Sequence, residues 1–439
     1  MLLPNNEFLA TAAKIAAEMG IQAYLVGGGP RDMVMGRDIS DFDFALDGEP
    51  ELFPRLFART IGGTFFWLDE QRLQSRVVRT CDAGVMTFDC APLRGAGIDG
   101  DLSLRDFTIN ALAIPLAAAE VSLIDPLGAL RDIRQGVIRA CSDACFDDDP
   151  LRLLRALRFA ATLGFAIEPG TWRAIGEKAL LLHRVAAERI RDEFFRILAT
   201  PDACPSLARL HESGLLAAIF PSLSITPEQT AGSFVERLER VRAVQACMAD
   251  LVSAPSPFTE NIHECLSLEV EAGITVGSLV KLGVFLGGDY DQKMVAMTVG
   301  RLRPGARTLR VLEILCAYAG TAAVLRHWKP TERAMYRFFR DREPAGLASL
   351  IVSVAGGLVS ARLCSDMVDF YFNHYPAVRD DSLLSGEEIM GILGVPPGRP
   401  VGEGMRVVKE AESIGLVNSK TEAVDYLGKN LLTKDDPVR

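Results

Sequence analysis

From Asp149 to the C-terminus the chain is patterned for helices almost throughout. LRLLRALRFAATLGF, RIRDEFFRILAT, PSLARLHESGLLAAIF and VERLERVRAVQACMADLV repeat apolar residues every three to four positions, the mark of amphipathic helices. Before Asp149 the pattern is mixed. Residues 6–20 read as one amphipathic helix with Phe8, Leu9, Ala12, Ile15 and Ala16 on one face. AYLVGG (23–28) reads as a short buried strand stopped by glycines, and Ser40 to Leu46 as a second strand. RVVRT (76–80) and VMTFDCA (85–91) read as further strands, and Thr108 to Pro115 as a helix–strand junction. A chain that segregates its strands in this way folds as α+β. The expected architecture is an N-terminal head with a small mixed β-sheet and helices, followed by an elongated all-helical body. The divisions expected are a head at 1–148, a neck at 149–220, a helical body at 221–375 and a helical tail at 376–439. Pro396-Pro397-Gly398-Arg399-Pro400 marks a turn between two helical segments of the tail.

Composition removes several classes. With 49% apolar and 24% charged residues, the chain is neither disordered nor low-complexity as a whole. It has no run of 18 apolar residues, so no membrane partner is expected. MLLPNNEFLATAAKIAAEMG lacks the basic and apolar regions of a secretory signal. The nine cysteines have no zinc-ligand spacing; Cys141 and Cys145 are the closest pair, and no second pair completes a set. Reduced thiols and a cytoplasmic location follow. The net charge of −10 argues against a broad nucleic-acid-coating surface but leaves room for a local basic groove. Before Lys178 the only lysine is Lys14, whereas arginine is abundant. The densest basic stretch holds Arg131, Arg134, Arg139, Arg152, Arg155 and Arg158. Guanidinium forks suit phosphates and base edges.

Four elements of the head carry chemistry. The first is Gly27-Gly28-Gly29-Pro30-Arg31-Asp32 after a strand, where bare backbone N–H groups can approach a phosphate. It lacks the Lys-Ser/Thr of a Walker loop and the spacing of a dinucleotide fingerprint. The second is Asp41-Phe42-Asp43, two carboxylates at i and i+2 that share one face of a strand. Unpaired they repel, so an arginine or a metal is expected beside them. Mg2+ prefers oxygen ligands and brings substrate phosphates with it. The third is Asp89 on another strand, a third carboxylate that would complete a two-metal site. The fourth is Arg105-Asp106-Phe107-Thr108-Ile109-Asn110-Ala111, polar residues set against an apolar stretch.

GGGPRD, DFDF, RDFTINALA, DPLGALRDI, DDPLRLLRALRFAATLGF and ERIRDEFFRIL, in that order and spacing, resemble the class II nucleotidyltransferases. That family holds the bacterial CCA-adding, CC-adding and A-adding enzymes and the bacterial poly(A) polymerases. The resemblance is strong over residues 20–200 and returns in LLSGEEIMGILGVPPGRPVGEGMRVV. It implies a nucleotidyltransferase head and template-independent addition of C, A or both to the tRNA 3′ end, with release of pyrophosphate. It implies roles in turn. Gly27 and Gly28 hold triphosphate, braced by Arg31 and Asp32. Asp41 and Asp43 carry Mg2+, with Asp89 as the third catalytic acid. Arg105 and Asp106 meet the ribose, and Asn110 the triphosphate or sugar. Asp149 and Arg152 read the incoming base, ATP or CTP. Arg155 and Arg158 belong to the nucleotide-binding set. Asp149 and Arg152 are expected on one face of a helix beginning at Asp149 or Pro150, whose proline suits a first helical position. The partners implied are a tRNA acceptor stem and ATP, CTP or both, gripped through an arginine-lined groove beside the head; the oligomeric state is left open.

The departures are specific. Pro30 replaces an aliphatic residue of the glycine loop, and Leu104 stands where a second basic residue often precedes RDFT. KLGVFLGGDYDQKM (281–294) resembles a helix of a phosphohydrolase module, but Gly287, Gly288 and Asp289 stand where its histidine–aspartate pair would lie. The 221–375 body is therefore expected to be a degenerate module serving RNA binding or structure. The choice among C, A and both depends in this family on a flexible loop, expected within Phe65 to Ser75. Two alternatives remain. One is a poly(A) polymerase, against which the ending KNLLTKDDPVR lacks a basic tail. The other is a catalytically silent RNA-binding protein, against which Asp41 and Asp43 stand intact.

Overall fold

The computed structural model describes residues 6–39, 41–81, 84–116, 122–224, 233–287, 292–317, 331–376 and 382–431. Internal contacts gather the chain into two compact units. One is Met1–Glu193 with Arg209–Ile219, and the other is Phe194–Ala208 with Phe220–Arg439.

The first unit begins with α1 (Glu7–Met19), where the Asn6 side chain accepts hydrogen bonds from the Phe8 and Leu9 N–H groups. This satisfies donors that a helix start leaves orphaned. A six-stranded sheet follows, built from β1 (Gln22–Val26), β2 (Asp41–Asp47), β3 (Thr64–Asp69), β4 (Gln74–Cys81), β5 (Gly84–Pro92) and β6 (Ala113–Pro115). The order across it is β3-β4-β5-β2-β1-β6. β2 and β5 run parallel, and the other neighbours run antiparallel.

One face of this sheet is the core. Phe42, Phe44 and Leu46 of β2 pack with Phe88 of β5 and with Phe53 and Phe57 of α3 (Leu52–Ile61). The Phe42 and Phe88 rings stack at 5.1 Å. Strand alternation then turns Asp41 and Asp43 to the opposite face, so burial of the phenylalanines fixes where the carboxylates point.

Two expectations change. The first strand ends at Val26, not Gly28, because Gly27 leaves it with φ 74 and Gly28 opens α2 (Gly28–Val34). The loop expected within Phe65 to Ser75 narrows to a turn at Glu70–Leu73, and the residues on either side of it form β3 and the start of β4. Thr64-Phe-Phe-Trp-Leu finds its backbone partners on β4, which a reading of local polarity alone does not reveal. Ser40 lies outside the described residues.

After the sheet come α4 (Gly97–Ser103), a 3-10 turn at Thr108–Asn110, α5 (Ala129–Gln135), α6 (Cys145–Asp148), α7 (Arg152–Leu163), α8 (Pro169–Lys178) and α9 (Ala187–Leu198).

The second unit is helical apart from a small hairpin of Glu269–Glu271 and Ile274–Thr275. Its Val276–Leu286 helix is buried along its whole length. Lys281 on that helix donates to the carbonyls of Leu198 and Thr200 at 3.0 and 2.5 Å. Burial pushes its ammonium pKa down to about 8. The helix accounts for the Lys281–Leu286 part of the phosphohydrolase-like stretch, and Gly288–Asp291 lie outside the described residues. The tail packs Gly386–Leu393, Arg399–Ser413 and Lys420–Leu431 around Leu384, Ile389, Val408 and Leu427. Among the described residues no helix is long and apolar enough to cross a membrane.

Candidate active site

The strand register assembles one row of residues across the open face of the sheet. Val26 of β1 pairs with Asp43 of β2, Asp43 with Asp89 of β5, and Asp89 with Arg76 of β4. The next row pairs Asp41 with Thr87, whose hydroxyl donates to Asp41 Oδ1 at 2.6 Å. Asp89 therefore stands beside the Asp41–Asp43 pair, but Arg76 takes both of its oxygens, with Nε–Oδ1 at 2.6 Å and Nη2–Oδ2 at 2.7 Å. Asp43 has no such fork. Its pKa is pushed up to about 6, first by burial and then by the Asp89 charge, with Arg105 partly offsetting and Asp41 adding. Among the described residues no three His, Cys, Asp or Glu side chains form a ready ligand cluster. The donor set is instead two carboxylates whose negative field Arg105 and Arg155 only partly offset. That fits a hard divalent cation whose remaining ligands are water and phosphate oxygens.

Gly27 is confined by that pair. Its φ is 74, and a Cβ there would lie 2.6 Å from Asp43 Oδ2 and 3.4 Å from Arg105 Nη1. Only glycine leaves room for both groups and for a ligand between them. A cavity of about 270 Å³ opens alongside, lined by Asp43, Asp89, Arg94, Asp101 and Arg105 among others. Asp101, 2% exposed, is shared by two guanidinium groups. Arg105 donates Nε and Nη2 to it at 3.0 and 2.8 Å, and Arg94 donates Nε at 3.0 Å. Burial alone would raise the Asp101 pKa, but the two arginines hold it below the ordinary value.

A buried polar chain runs on from the glycine loop. Arg31 forks onto Asp32 at 2.9 Å through both Nε and Nη2, and donates Nη1 to Asn110 Oδ1 at 2.6 Å. Asn110 Nδ2 and the Phe107 N–H donate to Asp106 Oδ1 at 3.0 and 2.8 Å. Arg155 donates Nε and Nη2 to Asp106 Oδ2 at 2.9 and 2.5 Å. Arg158 Nε meets Glu193 Oε2 at 2.6 Å, and Arg155 Nη1 lies 3.8 Å from Glu193 Oε1. The guanidinium groups of Arg31, Arg155 and Arg158 lie 5.4, 5.2 and 4.1 Å from the centre of the Phe159 ring. Burial opposes ionisation of Asp106, yet Arg155, Asn110 and the Phe107 amide hold its pKa below the usual aspartate range.

Asp106 and Asn110 are 7% and 5% exposed, and their polar atoms bond to protein partners. Arg155 and Arg158 pair with Asp106 and Glu193. Arg131 and Arg139 likewise both meet buried Asp132. Of the arginines in the Arg131–Arg158 stretch, Arg139, Arg155 and Arg158 are thus paired with buried carboxylates, whereas Arg131 stays 61% exposed.

Asp149 and Arg152 do not share a helix face. Asp149 is extended at φ −145 and ψ 99, and α7 starts only at Arg152. The Asp149 carboxylate accepts from the Leu151 N–H at 3.2 Å and pairs with Arg189 at 2.8 Å. Arg152 donates to the carbonyls of Leu104 at 2.9 Å, Cys145 at 3.2 Å and Arg105 at 3.4 Å. Pro150 lies two residues before the first residue of α7, so it does not occupy the first helical position.

Arg76, Arg94, Asp101 and Phe159 were not singled out in the sequence. Asp101 had a signal, since it lies four residues before Arg105 on what becomes a helix end. Arg76 had one too, as a charge inside an apolar strand.

Known proteins match this chain over most of its length. Residues 23–139 match the family model described as the poly A polymerase head domain. Residues 164–226 match the probable RNA and SrmB-binding site of polymerase A. The chain is similar to the CC-adding tRNA nucleotidyltransferase of Geobacter sulfurreducens, at 39% identity over 97% of this chain and 96% of the relative. It is similar to the A-adding tRNA nucleotidyltransferase of Deinococcus radiodurans, at 32% identity over 91% and 94%. A solved CCA-adding enzyme with ATP shares the fold, with a TM-score of 0.70 at 21% identity over 97% of this chain and 95% of that one.

Proposed function

The chain belongs to the poly(A) polymerase and tRNA nucleotidyltransferase family, and from that premise we propose that it adds cytidylate to the 3′ end of tRNA. It is a tRNA nucleotidyltransferase, acting with C, A or both on that end and releasing pyrophosphate. The observation that carries the chemistry is the Asp41–Asp43 pair on one face of β2, closed over by the bare α-carbon of Gly27. The choice of C rests on the greater identity to the CC-adding relative than to the A-adding one.

Enzymes of this family use divalent metal, and here the ion is Mg2+. Asp41 and Asp43 would hold it. When bound, it lowers the pKa of the attacking hydroxyl and offsets charge on the phosphate. Asp89 stays on Arg76 and raises the demand of Asp43 for a cation. Gly27 and Gly28 admit the triphosphate to the start of α2. Arg105, fixed by Asp101, sets a positive group beside Asp43. The tRNA 3′ oxygen bonds to the α-phosphorus, pyrophosphate leaves, and the hydroxyl proton passes to solvent. Arg31, Asp106, Asn110, Arg155 and Arg158 brace the loop from behind and keep these groups in place. Asp149 accepts from the cytosine amine and Arg152 donates to its ring nitrogen and carbonyl, each exchanging a present protein partner for the base. The head spans 1–148, the base-reading neck 149–220, the body 221–375 and the tail 376–439, the last three gripping the acceptor stem by shape and phosphate.

The test supplies each nucleoside triphosphate singly, with Mg2+, to tRNA lacking CCA, lacking CA or lacking A. Addition of two C residues to the first, one to the second and none to the third is expected. A added to the third substrate overturns the C assignment. Long A tracts would mark a poly(A) polymerase, and no incorporation at all a silent RNA-binding protein.

A further inference from the structure

The active-site row does not end at Arg76. Its cross-strand partner is Phe66 of β3, the edge strand of the sheet. Directly paired residues point to the same face, so Phe66 shares the open face with Asp43 and Asp89. The other face of β3 is used by the fold. Phe65 and Trp67 pack edge to face at 5.2 Å, and the Arg55 guanidinium covers Phe65 at 4.3 Å. Phe66 and Leu68 are left 41% and 48% exposed. Leu68 lines the same cavity as Asp43, Asp89, Arg94 and Arg105. An apolar shelf therefore continues directly from the catalytic carboxylates to the rim of the sheet, with the half-exposed Arg76 between.

We infer that Phe66, with Leu68 beside it, is the stacking platform for an unpaired base of the tRNA 3′ strand. This rests on the nucleotidyltransferase reading of the site. The acceptor hydroxyl has to reach Asp41 and Asp43, so the strand behind it crosses some part of this surface. The carboxylates repel its phosphates, whereas a phenyl face binds any base and discriminates little between them. Three strand spacings separate β2 from β3, about 14 Å in all. That span seats on Phe66 the base immediately upstream of the terminal nucleotide. The platform thereby holds different tRNAs alike, while nucleotide choice is made elsewhere in the site.

The experiment uses the full chain with tRNA that already carries one C, with CTP and Mg2+. Phe66→Ala is expected to raise the tRNA KM and the tRNA Kd about tenfold and to leave the CTP KM unchanged. Phe66→Trp restores both tRNA constants. Leu180→Ala, which removes a still more exposed apolar side chain of the same unit (72% exposed), changes neither. An abasic residue just before the terminal C removes the difference between wild type and Phe66→Ala. Unchanged tRNA constants in Phe66→Ala overturn the proposal, as does a loss that persists in full on the abasic RNA. So does a wild-type dimer that the substitution dissociates, which would assign the edge to a second copy. The Kd needs no turnover, so failure of the nucleotidyltransferase reading shows separately, as absence of incorporation by the wild-type chain.

Discussion

Gly27→Ala tests the geometry of the site with one methyl group. Two costs are separable. The first is backbone strain, since φ 74 with ψ −130 lies outside the left-handed helical well in a region kept almost wholly to glycine, and a residue with a Cβ pays about 1–3 kcal/mol there. The second is the contact with Asp43 Oδ2 at 2.6 Å. Relief to the 3.4 Å of ordinary contact moves the carboxylate by most of an ångström. A misplacement of about 1 Å costs about a hundredfold in rate, or about 2.7 kcal/mol of barrier. Gly36→Ala is the control for a methyl group at positive φ without the contact, because Gly36 has φ 68 and nothing within 4 Å of a built Cβ. Gly27→Ala is expected to lose about 1–3 kcal/mol of stability in urea unfolding and Gly36→Ala about 1–2 kcal/mol. In C incorporation at saturating CTP, tRNA and Mg2+, Gly27→Ala falls about a hundredfold below Gly36→Ala. Equal rates for the two variants would refute the claim that Gly27 sets the position of Asp43.

Asp106→Asn removes the buried partner of Arg155 and should cost about 3–5 kcal/mol at neutral pH. Because the folded-state pKa of Asp106 is lowered below 3.8, its contribution is complete above that value and is lost as pH falls through the folded one. The difference between wild type and Asp106→Asn in urea unfolding should therefore hold from pH 7 to 5 and shrink below about 4; a difference that grows on acidification contradicts the pairing. Phe159→Leu takes the ring from three guanidinium groups and should destabilise the first unit by about 1–3 kcal/mol, read by thermal melting, with an unchanged melt as the contrary result. Asp149→Asn can donate to the uracil carbonyl, so the preference for CTP over UTP should narrow about tenfold; an unchanged ratio leaves Asp149 as the cap of Leu151 and the partner of Arg189. Because tRNA binding releases counterions, its Kd should rise steeply between about 50 and 200 mM salt, and a flat response contradicts phosphate contact.

What the sequence disclosed was local. Asp41 and Asp43 at i and i+2 needed only the two-residue period of a strand, and the phenylalanines between and after them named the core face. The helical patterning beyond Asp149 was equally plain. What escaped depended on partners far along the chain. β3 is a strand because β4 pairs with it, and Thr64–Asp69 alone carries no turn or polarity signal for that. Arg155 and Arg158 read as nucleotide-binding residues, and nothing local showed that Asp106 and Glu193 are buried beside them. Asp149 looked like a first-turn residue of α7, and its extended backbone reflects its own bond to Leu151 and its pairing with Arg189. Asp89 was placed correctly beside the pair, but its fork with Arg76 follows from strand register, which no motif encodes.

The central claim is that Asp41 and Asp43 do the metal-assisted chemistry and little else. It is tested most directly by comparing wild type, Asp41→Asn and Asp43→Asn for C incorporation into tRNA lacking CCA, at saturating Mg2+, with tRNA affinity and melting temperature measured on the same samples. The account predicts that each substitution lowers the rate by more than about a hundredfold, or about 2.7 kcal/mol, while tRNA affinity and melting temperature stay at wild-type values. Either variant keeping more than about a tenth of the wild-type rate, about 1.4 kcal/mol, would contradict it.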